Sequence, residues 1–238
     1  MKQRLDVYLN AKQLSPTRSQ AESVIRLGEV TVNGKVVTKP GHFVGPDDTV
    51  RLTDKQRYVS RAGLKLASVA DALKLGFTNK VILDVGSSTG GFTDYALRSG
   101  AKKVFAVDVG TEQLHPSLRN NPRIELHEKT DIRDFTPGET PDVVVMDVSF
   151  ISLREILPHI ATISGKDTYI VAMLKPQFEA GREQVNKGVI KNDSVRRQIL
   201  KDFEAWTRDY FVIIDKADSD VAGAKGNRER FYLLRITA

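Results

Sequence analysis

Two apolar runs each deliver an ionisable group at their end: Val143-Val144-Val145-Met146-Asp147 and Ile170-Val171-Ala172-Met173-Leu174-Lys175-Pro176. Open α/β sheets bind ligands beyond the carboxyl ends of their strands, so a carboxylate and an ammonium leaving neighbouring buried strands make an acid–base pair in one crevice. A strand-end lysine is ordinarily a solvated surface group. Pro176 stops the chain directly after the strand, which predicts a Lys175 head turned into the same crevice as Asp147. A third signal is Ile82-Leu83-Asp84-Val85-Gly86-Ser87-Ser88-Thr89-Gly90-Gly91-Phe92-Thr93, a strand entering a glycine-rich turn and then a helix. The spacing Gly86-x-x-x-Gly90 departs from the dinucleotide fingerprint, and no lysine follows as a phosphate-binding loop requires, so NAD and ATP are both demoted. His42, His115, His127 and His159 are scattered without metal-ligand spacing, and no Ser-His-Asp arrangement is evident.

The Asp-x-Gly-x-x-x-Gly turn resembles that of S-adenosylmethionine-dependent methyltransferases, whose cofactor has no phosphates and carries a positive sulfonium. Phe105-Ala106-Val107-Asp108 places an acid at the next strand end, 24 residues past Asp84, where a carboxylate can accept both ribose hydroxyls. Lys129-Thr130-Asp131-Ile132 fits a third strand end, with Asp131 receiving the adenine amino group and Ile132 packing on the ring. Aspartates at strand ends also serve as plain turn residues. Their order after the Asp84 turn favours binding, and the expected cofactor set is Asp84, Gly86, Ser87, Ser88, Thr89, Gly90, Phe92, Asp108, Asp131, Ile132 and Asp147.

These groups need a scaffold, and the chain supplies two. From Ser60 a helix through Lys74 carries the stripe Leu66, Val69, Ala70 and Leu73. Strand-like runs then alternate with helical patterns at Val81–Val85, Val104–Val107, Val143–Met146, Tyr169–Leu174, Phe211–Ile214 and Phe231–Ile236, which argues a mostly parallel sheet covered on both faces. Before Ser60 the pattern differs. Arg4 to Leu14 reads as a short amphipathic helix, and Ser15-Pro16-Thr17 breaks it. Thr17 or Ser19 caps a second helix to about Leu27, with Ala21, Val24, Ile25 and Leu27 inward. Val30 to Val37 holds two β-rich runs joined by Asn33-Gly34, the strongest short-range hairpin signal, and Asp47 to Leu52 supplies a further strand. Thr53 to Val59 is polar and aperiodic, a linker.

The N-terminal unit resembles the S4 RNA-binding domain through Arg4-Leu5-Asp6, Ser19-Gln20-Ala21 and Leu27-Gly28-Glu29-Val30-Thr31-Val32-Asn33-Gly34. The resemblance implies that Arg4, Lys12, Arg18 and Arg26 face an RNA backbone; an ordinary solvated helix face is the competing reading. The remainder resembles the FtsJ-type 2′-O-ribose methyltransferases, and the whole chain resembles the TlyA hemolysin-type rRNA methyltransferases. The motifs are Ser60 to Leu66, Leu83 to Thr93, Met146 to Ser152, Lys175 to Gly181 and Gly226 to Glu229. The likeness implies a Rossmann-like methyltransferase fold with a mostly parallel seven-stranded sheet, preceded by a small α+β S4 domain: 1–54 S4, 55–59 linker, 60–238 methyltransferase. It also implies a catalytic tetrad of Lys65, Asp147, Lys175 and Glu229, with S-adenosyl-L-methionine as cofactor and rRNA or ribosomal subunits as partner. Phe92 departs from the tryptophan of the FtsJ group, which should alter packing near the cofactor. Without its motif, Lys65 would read as an exposed lysine on the polar side of its helix, and Glu229 as a strand cap.

The implied reaction, on cytidine by family likeness, explains such a gathering. A ribose hydroxyl holds its proton tightly while a sulfonium methyl is already activated, so the protein must align the atoms and handle that proton, with no metal required. Lys175 is the expected base, Asp147 its orienter, and Lys65 with Glu229 the ribose clamp. Composition agrees with a folded two-part chain: 238 residues, 40% hydrophobic, 28% charged and no cysteine. No apolar run approaches the roughly 18 residues of a membrane helix, and the N-terminus turns polar early, so a cytoplasmic enzyme needing no membrane is expected. The net charge is +6, and up to Arg57 ten basic residues face six acids, a concentration suited to a polyanion. Two other function classes stay open: a non-catalytic, ribosome-associated RNA-binding factor, and a membrane-lytic hemolysin.

Overall fold

The computed structural model describes residues 2–15, 17–26, 28–53, 58–185, 188–223 and 226–237. Leu27 and linker residues 55–57 lie outside the described residues. The chain divides into two compact units, Met1–Arg61 and Ala62–Ala238.

The first unit runs β1 (Gln3–Arg4), α1 (Leu5–Ala11), α2 (Arg18–Arg26), β2 (Val30–Val32), β3 (Lys35–Val36), β4 (Phe43–Val44) and β5 (Val50–Leu52). One core joins Leu5 and Leu9 of α1, Ala21, Val24 and Ile25 of α2, and Val30, Val32 and Val44 of the strands. The i, i+4 spacing of Leu5 and Leu9 puts both on one face of α1. That helix stops short of the expected Leu14, because Gln13 takes φ +56°, and Leu14 is left 40% exposed. Asn33 and Gly34 have φ +52° and +79°, the conformation that a two-residue hairpin needs, and β2 pairs antiparallel with both β3 and β5.

The second unit runs α3 (Arg61–Ala70), β6 (Val81–Val85), α4 (Gly91–Arg98), β7 (Lys103–Val107), α5 (Pro116–Arg119), β8 (Ile124–His127), β9 (Val143–Met146), α6 (Leu157–Ile163), β10 (Tyr169–Leu174), α7 (Pro176–Glu179), α8 (Asp193–Thr207), β11 (Phe211–Asp218) and β12 (Arg230–Ile236). A seven-stranded sheet has the order β11-β12-β10-β9-β6-β7-β8. β8 through β10 are parallel, and β12 lies antiparallel between β10 and β11. β6, β9 and nearly all of β10 are buried, as strands covered on both faces must be, which is why they read as unbroken apolar runs. β8 is the seventh strand, absent from the runs singled out in the sequence: it is an edge strand interrupted by Glu125. Leu83, Phe105, Val144, Met146, Ile170 and Ala172 pack with Leu157 and Ile160 of α6 and with Leu200 and Phe203 of α8.

The order reverses around β6, since β7 and β8 lie to one side of it and β9 and β10 to the other. Such a reversal opens a crevice beyond the strand ends. Two glycines of the β6–α4 turn are demanded by geometry there. Gly86 has φ +77°, and a Cβ on it would lie 3.0 Å from the Asp147 carbonyl oxygen. Gly90 has φ +89°, and a Cβ there would meet the Cδ1 atoms of Leu114 and Leu118 at 2.6 Å. Both leucines are buried and have little room to yield. Gly90→Ala is therefore expected to destabilise the protein by about 1–3 kcal/mol, read as a lower urea midpoint with an unchanged m-value.

Candidate active site

A cleft of about 380 Å³ opens at this crevice. Its walls come from four strand ends: Val85 and Gly86 after β6, Val107 to Val109 after β7, Thr130 to Ile132 after β8, and Asp147 to Ile151 after β9. Asp108, Asp131 and Asp147 line it, and among the described residues no lysine or arginine does. The lining suits an uncharged, partly apolar ring system bearing a positive centre. Of the cofactor residues expected from sequence, Gly86, Ser88, Asp108, Asp131, Ile132 and Asp147 stand in this wall.

The others are placed differently. Phe92 is buried against Phe231, with ring centroids 6.1 Å apart, and does not line the cleft. Gly90 faces Leu114 and Leu118, and Thr89 receives the His115 N–H on its carbonyl; neither lines the cleft. Ser87 is buried just behind the wall, its Oγ without a hydrogen-bond partner among the described residues. Asp84 is fully buried and accepts the Thr93 hydroxyl at 2.6 Å. It braces the glycine turn against α4 and does not line the cleft. Burial raises its pKa from 3.8 to about 7; the Thr93 hydrogen bond opposes this, and the charge of Asp147 adds to it.

Asp108 and Asp131 already have local partners. Asp108 accepts backbone N–H groups of Ser88 at 2.8 Å and Gly110 at 2.7 Å. A carboxylate offers about four acceptor positions, which leaves room for a diol. Asp131 caps the turn that follows and is held bidentately by Arg133, at 3.0 and 2.6 Å, which lowers its pKa to about 2. Gln113 was missed by sequence reasoning. It lines the cleft, accepts the Ser88 hydroxyl at 3.1 Å and reaches Asp108 at 3.4 Å, spanning two lips of the wall. No motif signals it.

The ionisable groups proposed for chemistry form two ion pairs. Lys175 Nζ lies 2.6 Å from Asp147 and donates to Ser149 Oγ at 2.7 Å. Lys65 Nζ lies 2.5 Å from Glu229. Lys65 is 8% exposed, unlike the exposed lysine that its helix would suggest without the motif. Leu174 pairs with Arg230 across antiparallel strands, so the next residue of one, Lys175, and the preceding residue of the other, Glu229, flank each other at the sheet edge. Glu229 sits tightly against the chain at Gly223, where a Cβ would lie 2.8 Å from its Oε1. Phe150, two residues past Val148, takes φ +65° and is 91% exposed, its ring 5.1 Å from that of Phe178. A bulky side chain held in the left-handed region and left in solvent at a cleft mouth is a strained feature that core packing does not require.

In the N-terminal unit, Arg4 and Arg18 converge on the buried Asp6 carboxylate, Arg4 through two bonds of 2.9 Å and Arg18 through one of 2.9 Å. These arginines tie α1 to the start of α2, a role the sequence reading did not include, while their side chains stay 43% and 56% exposed. Arg26 lies 4.0 Å from Glu22, and Lys12 is exposed.

This sheet, with an acid-lined cleft beyond β6, is that of the S-adenosylmethionine-dependent methyltransferases. A model of the FtsJ-like methyltransferases matches residues 58–236, and one of the S4 domain matches residues 3–50. Hemolysin A of Brachyspira hyodysenteriae is 40% identical over 95% of this chain and 97% of its own length. The 23S rRNA (cytidine-2′-O)-methyltransferase TlyA of Campylobacter jejuni is 37% identical over 96% and 98%. A solved structure of a provisionally named hemolysin from Streptococcus thermophilus aligns with TM-score 0.78 and 38% identity, covering 99% of this chain and 89% of that one. The chain belongs to the FtsJ-like methyltransferase family, in its S4-bearing TlyA and hemolysin A group, and its cofactor is S-adenosylmethionine.

The buried Asp84 gives a pH signature. Its folded pKa of about 7 lies above the ordinary 3.8, so between these values the folded chain holds a proton that the unfolded chain has released. Its contribution to stability is therefore constant below about pH 4 and falls as pH rises toward 7. Asp84→Asn keeps an acceptor for Thr93 and removes the titration. Stability of the wild type minus that of the variant, from urea unfolding at each pH, is expected to decline across this window; a flat difference would show an Asp84 that ionises as it does in the unfolded chain.

Proposed function

We propose that the chain methylates a ribose 2′-hydroxyl of rRNA, that of a cytidine as in the Campylobacter jejuni relative, and that the S4 unit holds the RNA. One observation carries this reading: a Lys175–Asp147 pair, its lysine buried and its carboxylate half-buried, opens at the mouth of an acid-lined cleft, with a second, buried pair, Lys65–Glu229, at the neighbouring strand end. S-adenosylmethionine, when bound, supplies a methyl carbon activated by its sulfonium. Gly86, Ser88, Asp108, Asp131 and Ile132 would hold it.

The remaining work belongs to the chain's own groups. Lys175 polarises or removes the hydroxyl proton, and Asp147 and Ser149 fix the direction of its Nζ. Lys65, clamped by Glu229, holds the ribose. Aligning the hydroxyl against a fixed methyl is the larger part of the task, which a rigid sheet edge performs at little entropic cost. Phe150 offers an open aromatic face beside this point, on which a base can stack. In the S4 unit, Lys12 and the outward faces of Arg4, Arg18 and Arg26 meet phosphates. Such an enzyme works in the cytoplasm, where rRNA is assembled.

A non-catalytic RNA-binding factor would have no need of two lysine–carboxylate pairs buried at a cleft mouth, since buried charges are costly to keep. Among the described residues no helix is long and apolar enough to cross a membrane.

The test is transfer of tritiated methyl to purified ribosomal subunits, with the modified nucleotide mapped as a 2′-O-methyl. Lys175→Ala is expected to lower kcat at least about 100-fold while S-adenosylmethionine affinity by isothermal titration stays within about twofold. Transfer unchanged in the variant would remove Lys175 from the reaction, and dye release from liposomes by pure wild-type protein would favour the lytic reading. Phe150→Ala is expected to lower kcat/KM for RNA about 5- to 150-fold with cofactor affinity unchanged, since stacking one base is worth about 1–3 kcal/mol.

A further inference from the structure

Asp147 and Lys175 stand on two segments whose ladder ends before either is reached: the last β9–β10 pair is Met146 with Ala172. Residues 147–152 then run without helix or strand. Asp147 is still tied to β6, its N–H donating to the Val85 carbonyl at 3.0 Å, but past it something other than the sheet must hold the loop against the turn after β10. The two segments touch at three places. Lys175 meets Asp147 and Ser149, Phe178 meets Phe150, and Glu179 meets Ser152 and Leu153.

The first two contacts involve groups assigned to chemistry or to the base. The third is different in kind. The Glu179 carboxylate accepts the Ser152 hydroxyl at 2.6 Å and the Leu153 backbone N–H at 2.7 Å, so it grips the main chain at the far end of the loop. Its side chain is 2% exposed. Burial raises its pKa, and the Ser152 and Leu153 hydrogen bonds oppose that shift. Arg154, 3.8 Å away, gives partial charge compensation. Glu179 is also rigidly spaced from Lys175, because α7 starts on the lysine itself: Phe178 N–H donates to the Lys175 carbonyl at 2.9 Å and Ala180 N–H to that of Pro176 at 3.1 Å. A group fixed to Lys175 on one side and to the end of the Asp147 loop on the other sets the distance between them.

We propose that Glu179 is a positioning residue which, through Ser152 and Leu153, holds the Asp147–Phe150 loop against the Lys175–Phe178 turn and so fixes both the Lys175–Asp147 pair and the Phe150–Phe178 stack; its catalytic consequence rests on the ribose-methylation reading. Releasing that grip lets the loop drift and exposes Lys175. Lys65, paired with Glu229 from other segments, does not depend on it.

The full-length protein is labelled with acetic anhydride, and the modification of each lysine is followed by mass spectrometry in the wild type, Glu179→Ala, Glu179→Gln and Ile160→Ala. The last opens a cavity in the buried α6 core and controls for general loosening. Glu179→Ala is expected to speed Lys175 labelling about tenfold and to leave Lys65 within about twofold, with kcat down about 10- to 100-fold and cofactor affinity within about twofold. Glu179→Gln keeps an acceptor for the Leu153 N–H and is expected to recover most of both. Ile160→Ala is expected to move neither lysine selectively. Equal acceleration at Lys175 and Lys65, or wild-type labelling and kcat in Glu179→Ala, overturns the proposal. A wild-type protein that methylates no RNA counts against the ribose-methylation reading, while Lys175 labelling still decides the role of Glu179.

Discussion

The constraint on which this structure turns is the cost of burying charge. Lys65, Lys175 and Glu229 are each at most 9% exposed. An ion of that kind is tolerated only with a close partner of opposite sign, and removing one partner leaves a penalty of about 3–5 kcal/mol. The pairs Lys175–Asp147 and Lys65–Glu229 satisfy that demand, but only because four elements deliver them to one sheet edge. The β9–β10 and β10–β12 ladders bring the chain to within a few residues of Asp147, Lys175 and Glu229, contacts beyond the strand ends complete their placement, and α3 brings Lys65. A one-residue slip in either ladder would turn the side chains to the opposite face and strand a charge in the core. The chemistry and the register are therefore the same requirement.

What the sequence made legible follows from this. Strands buried on both faces must be continuously apolar, so β6, β9, β10 and the groups leaving their ends could be read directly. The glycine turn was legible because a Cβ at Gly86 would press on the Asp147 carbonyl, a requirement that leaves a mark at one position. β8 was not singled out, since an edge strand needs only alternation over four residues and Glu125 interrupts it. Helix periodicity alone could not place Lys65: the stripe of α3 reports which residues face the sheet, and it carries no information about a carboxylate arriving from residue 229 to bury the lysine. Asp84 shows the same limit. Its position in the motif was readable, while its inward turn onto Thr93 depends on where α4 lies. Gln113 acts through contacts with distant loops and has no local signature; Glu179 lies in the Lys175-to-Gly181 motif, but its contacts with Ser152 and Leu153 come from a distant loop and cannot be read from that motif.

On the proposed reading, Arg4 and Arg18 carry two roles at once. Both arginines anchor on the buried Asp6, and a guanidinium has five donors in a planar fork. A carboxylate occupies one edge of that fork, and the exposed remainder is free to meet a phosphate with its orientation already set. The intramolecular bond thus lowers the entropy lost when an anion binds, in place of competing with it. Arginine suits this double duty better than lysine, whose single ammonium has no second edge.

The charge of the two parts then accounts for how one enzyme handles a cationic cofactor and a polyanionic substrate. The cleft presents Asp108, Asp131 and Asp147 and, among the described residues, no lining cation, so it attracts a sulfonium and repels phosphate. The basic surplus lies mainly in the N-terminal quarter. On the proposed reading, RNA affinity must come from outside the cleft, which only a sugar and its base approach. Lys175 fits that division. Its ammonium meets the acidic wall at Asp147, is neutralised there and is directed by Ser149, so it can serve one hydroxyl without becoming a phosphate site. An unpaired lysine at the same point would draw the backbone into the cleft and displace the hydroxyl from the line of transfer. Pairing is thus what turns a basic residue into one that selects an oxygen by position, and this is why the loop that carries Asp147 has to be held as firmly as the strand that carries Lys175.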